Sequence, residues 1–122
     1  MTSIFAFRTR SPDRDEDTDR ARFERLARAL DQLASEVEAE KAGIRSRYEA
    51  VSANAAFLVE AMDNDAATSR RAAEMDQLTE ALKNCLRRIE VLGRQTEFVS
   101  GLRHSVDMFA AEGGKAVGEV AT

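Results

Sequence analysis

Three residues able to do chemistry occur once each in this chain of 122 residues: His104, Cys85 and Tyr48. Catalysis needs a nucleophile, a base or a ligand set that converges on one point. His104 follows Arg103 on the outer side of a predicted helix, which predicts a solvated imidazole. Cys85 falls on a hydrophobic stripe, where cysteine acts as a small apolar residue. Glu-x-x-His, the spacing that di-iron bundles use, does not occur. The segment Asp63–Glu74 places acids at the first, third and twelfth positions of a calcium-loop pattern. Its sixth position is Thr68 instead of glycine and its fifth is Ala67, so both the turn and a ligand are missing. These residues therefore predict a turn between helices, with Asp65 or Thr68 as cap. The expectation is a non-enzymatic protein with no metal, no cofactor and no small-molecule substrate.

Apolar residues outside a regular stripe carry more information. In "ANAAFLVEAM", residues 53–62, Phe57, Leu58 and Val59 span about 200° of a helix, too wide an arc for one partner helix. Either the core is locally broad, in a bundle of three or more helices, or Phe57, Val59 and Met62 form a docking patch. Ile4, Phe5 and Phe7 pose the same question ahead of the charged run "SPDRDED". They could fold back over an apolar end near Phe23 and Phe109, dock on another protein, or serve as an export address. Folding back is favoured, since it buries apolar surface at about 25 cal/mol per Å² without requiring a partner. The six residues Phe57, Val59, Met62, Ile4, Phe5 and Phe7 are the candidate partner-binding set.

The elements that must position these residues follow from periodicity. Phe23, Leu30, Val37, Ile44, Val51 and Leu58 recur at every seventh position. Such a repeat keeps one stripe of a helix facing another helix. A second stripe is expected three residues later, at Leu26, Leu33, Glu40, Arg47, Asn54 and Ala61, widened by Ala27, Ala34, Tyr48, Ala55 and Met62. Gly43 lies within this repeat without disturbing its phase. Met75, Leu78, Leu82, Cys85, Ile89, Leu92, Thr96, Val99 and Val106 form a second stripe in alternating steps of three and four, interrupted at Arg103. Between the two lies "DNDAATS", a cluster of turn formers.

The predicted fold is all-α: a long antiparallel helical hairpin, or coiled coil, completing a four-helix bundle by self-association or on a partner. Helix one is expected over about 12–62, started by Ser11 as cap and Pro12 in the first turn. A turn follows at about 63–67, then helix two at about 66–111, stopped by Gly113-Gly114. Residues 1–11 and 113–122 are read as flexible segments flanking a hairpin at 12–112. Pairing the stripes antiparallel about a centre in Asp63-Asn64-Asp65 matches Ile44 with Cys85, Val37 with Leu92 and Leu30 with Val99. Arg70, Arg71, Arg87, Arg88 and Arg94 are expected to pair with acids of helix one.

Composition sets the outer limits. The formal net charge is −4 and charged residues make up 33% of the chain, with the signs interspersed. Binding to nucleic acid, which requires concentrated positive charge, is therefore not expected. With one cysteine no internal disulfide can form, no apolar run reaches membrane-spanning length, and "IFAF" is short for a secretory signal. A cytoplasmic location follows as the expectation. Lysine is scarce beside arginine, which points to a bacterial genome rich in G and C. The function expected is a coiled-coil protein–protein interaction module, acting as adaptor, assembly factor or structural component. The alternative is a small acidic helical chaperone-like protein that holds a secretion or organelle-assembly client.

Overall fold

The computed structural model describes residues 11–64 and 69–113. The protein is all-α, a hairpin of two long helices: α1, Pro12–Asn64, and α2, Ser69–Ala111. Among the described residues no helix is long and apolar enough to cross a membrane.

Ser11 starts α1. Its Oγ accepts from the backbone N–H groups of Asp13 at 3.2 Å and Arg14 at 3.4 Å, two donors that the first helical turn leaves without internal partners. Pro12 loses nothing in the first turn, and Asp13 and Asp15 place negative charge at the positive end of the helix dipole. At the other end of the chain, Glu112 N–H donates to the Met108 carbonyl and Gly113 N–H to the Ala110 carbonyl, which closes α2. Gly113 does this at φ +69°, the left-handed region that a residue without Cβ enters at no steric cost.

The described residues fall into two compact bodies: 11–33 with 99–113, and 34–64 with 69–98. In the first, Leu30 and Val99 are buried, and Phe23, Ala27, Val106 and Phe109 are half-buried. The Phe23 and Phe109 rings meet at 4.9 Å between centroids with a tilt of 47°, an edge-biased arrangement that aromatic quadrupoles favour. In the second body Val37, Ala55, Cys85 and Leu92 are buried, and Leu92 is 0% exposed. Around them Ala34, Ile44, Tyr48, Val51, Leu58, Met75, Leu78, Leu82, Ile89 and Thr96 are half-buried.

The second stripe of α1 is not the one that the sequence suggests. Leu26 and Leu33 are 43% and 42% exposed, Glu40, Arg47 and Asn54 are exposed too, and of that stripe Ala61 alone is half-buried. Packing instead uses the positions four residues after each repeat: Ala27, Ala34, Lys41, Tyr48, Ala55 and Met62 are all buried or half-buried. At 3.6 residues per turn the third position lies about 60° round the helix from the repeat and the fourth about 40°, and burial cost favours the fourth as well. The first would bury a glutamate, an arginine and an asparagine. The second buries one lysine, whose stem can lie along the seam while its ammonium reaches water. Its alanines also allow the backbones a close approach.

Ion pairs join the helices inside each body. In the first, Arg103 occupies the seam position that interrupts the stripe of α2. Its Nε donates to Asp31 Oδ1 at 2.9 Å, and its Nη1 pairs with Asp107. These hydrogen bonds, that to Asp31 first, raise the guanidinium pKa further above its ordinary value. In the second, Arg88 clamps Glu40 through two parallel bonds of 2.7 and 3.0 Å. That bidentate hydrogen bond holds the Glu40 carboxyl below its ordinary pKa range. The Thr96 hydroxyl stands 3.1 Å from a Glu38 carboxylate oxygen and 3.0 Å from the Leu92 carbonyl, and its single proton serves one of them at a time. Of the arginines on α2 expected to pair with acids of α1, Arg88 does so. Arg70 and Arg94 pair instead with Glu74 and Glu90 on their own helix, Arg87 donates to Asn84, and Arg71 donates to the Ala61 carbonyl at 3.1 Å. The i,i+3 and i,i+4 spacing makes those own-helix partners the nearest acceptors.

Candidate interaction surface

The residues with chemical potential stand apart from one another. His104 is exposed, Tyr48 is half-buried in the seam, and Cys85 is a free thiol at 5% exposure. Among the described residues no three His, Cys, Asp or Glu side chains are grouped to hold a metal. None of His104, Tyr48 and Cys85 lines either of the two surface grooves.

Apolar exposure is the feature that distinguishes this surface. Phe57 is 72% exposed, the highest value among the large apolar side chains described, and Val59 is 42% exposed. Met62 is half-buried in the seam. The three do not form one patch. Two residues apart on a helix means about 200°, so Phe57 and Val59 point to opposite flanks. Phe57 lines a shallow groove of about 440 Å³ with Asn54, Leu58, Glu74, Gln77 and Leu78, and Val59 and Met62 take no part in it. Ile4, Phe5 and Phe7, the other half of the candidate set, lie outside the described residues, as do Asp65 and Thr68.

Sequence reasoning missed several members of this surface. In the second body Phe98 is 67% and Leu86 51% exposed. Both are off the three-four stripe of α2, which was the available signal: an aromatic or leucine out of phase with the seam has no place in it. In the first body Leu26, Leu33 and Leu102 are 39–43% exposed. Leu102 precedes Phe109 by one heptad, so the two share a flank of α2, and Phe109 reaches across to Phe23. Leu26 lies one turn beyond Phe23 on α1. The three leucines thus border one side of this body, while Asp31 and Arg103 close the other.

A second, larger groove of about 720 Å³ belongs to the first body. Phe23, Ala27, Val106, Phe109 and Ala110 form its apolar floor, and Glu16, Asp19, Glu24 and Asp107 stand on its walls. Its two bases are already engaged, Arg20 with Asp17 at 2.9 Å and Arg103 with Asp31 and Asp107. The arrangement offers apolar contact and negative charge together, and it presents no nucleophile. Compared with family models, curated proteins and solved structures, the chain matches none of them.

Proposed function

We propose that this protein is a non-enzymatic coiled-coil interaction module that self-associates through helix faces, completing a four-helix bundle, and serves as an adaptor or assembly component. One observation carries the reading. Among the described residues six apolar side chains are buried, whereas eight large ones stand 39–72% exposed. A two-helix layer has one inner face per helix, and small helical scaffolds gain stability by adding further helices. Exposed apolar surface in excess of the buried core is what a further layer of helices would cover. The free thiol of Cys85 and the interspersed charges of a chain with net charge −4 suit a reducing cytoplasm and a protein partner.

The test uses the two most exposed aromatics. Phe57→Ser with Phe98→Ser should leave helicity near the wild-type value and lower the mass measured by light scattering. Each side chain is worth about 1.5–3 kcal/mol of burial if the assembly covers it. Unchanged mass would remove self-association through these faces. A wild-type chain that is monomeric and recovers a client from the native cell would favour the chaperone-like alternative instead.

A further inference from the structure

We propose that the segment Met1–Arg10 docks in the acidic groove of its own chain, with Phe5 and Phe7 on the floor made by Phe23 and Phe109. The groove has the chemistry that this segment complements. Its floor is aromatic and aliphatic, and its walls carry four acids and two arginines; both arginines are paired, as are Asp19 with Arg22 at 3.5 Å and Asp107 with Arg103. Glu16 and Glu24 have no ion-pair partner among the described residues. The segment supplies Ile4, Phe5 and Phe7 followed by Arg8 and Arg10, which is apolar bulk next to positive charge.

Reach fits as well. An extended chain covers about 3.3 Å per residue and a helix rises about 1.5 Å per residue. Running back along α1 from Ser11, Phe7 comes level with Arg20, at about 13 Å, and Phe5 level with Phe23, at about 18–20 Å. Arg8, at about 10 Å, falls between Glu16 and Asp19. In an extended segment Phe5 and Phe7 share one side and Arg8 and Arg10 the other, so the rings face the floor while the guanidinium groups reach over the acidic walls.

A photoreactive benzoylphenylalanine in place of Phe7 keeps the aromatic bulk and reports what lies beside it. In an equal mixture of ¹⁴N- and ¹⁵N-labelled full-length chains, crosslinks are located by mass spectrometry after illumination. Docking predicts products within one isotope label, joining position 7 to residues 16–27 of α1 or 103–110 of α2. Adding Glu16→Arg and Glu24→Arg, both on the exposed face of α1, should abolish those products. Mixed-label products would show that the segment occupies a second copy, and would overturn the proposal. An absence of crosslinks, products spread along both helices, or a yield that the two charge reversals leave intact would also overturn it.

Discussion

Leu92 is the one large side chain described that is fully enclosed, and it has no water to retreat to when altered. Leu92→Asp would bury a carboxylate with no partner and should cost more than about 3 kcal/mol, read as a collapse of the thermal transition. Arg94→Asp, on the exposed face of the same helix, should shift melting little. Similar losses in both variants would place the seam on the wrong face. Glu40 makes a pH prediction. Its folded pKa is lowered by the hydrogen bonds from Arg88, so the pair stabilises the fold in full above the ordinary carboxylate range. That contribution fades as pH falls through the lowered folded value. Thermal melts of wild type and Glu40→Gln should therefore differ slightly at neutral pH and converge in acid. A gap that widens on acidification would contradict the assignment.

At the scale of the element, the stripe of α2 was legible residue by residue. From Met75 to Val106 the steps of three and four name the positions that the structure buries or half-buries, and the break at Arg103 is a real polar seam position. The start of α1 was also legible, since Ser11 and Pro12 carry a cap signal whose geometry the hydrogen bonds show. The flank of α1 formed by Ala27, Ala34, Tyr48, Ala55 and Met62 is legible as part of the seam, but its precedence over Leu26 and Leu33 is not, because two leucines carry more apolar surface than two alanines. Reading the whole stripe corrects this, because Glu40, Arg47 and Asn54 would have followed the two leucines inward. Of the candidate surface, the angular separation of Phe57 and Val59 requires that at least one of them face outward from a hairpin that buries Leu58, and both do. The groove beside Phe57 was not legible, because it depends on Glu74 and Gln77 of the other helix. A pair of substitutions tests the seam: Ala55→Leu inserts bulk into a buried position and should cost about 1–3 kcal/mol, while Asn54→Leu on the exposed flank should be tolerated. Chemical denaturation of both variants gives the comparison. Equal stability would show that the alanines are not in the seam.

The whole molecule combines an all-α hairpin with a surplus of exposed apolar side chains. The hairpin gives each helix one covered face, and Phe57, Phe98, Leu86 and Met108 stand outside it at 49–72% exposure. A second layer of helices would cover them, and association would then add to stability in proportion to the logarithm of concentration. The direct measurement is sedimentation equilibrium of the wild-type chain over a hundredfold range of concentration, with thermal melts on the same samples. The account predicts a mass that rises above the 13.5 kDa of one chain and a melting temperature that climbs with it. An ideal 13.5 kDa species with a concentration-independent melt would contradict it.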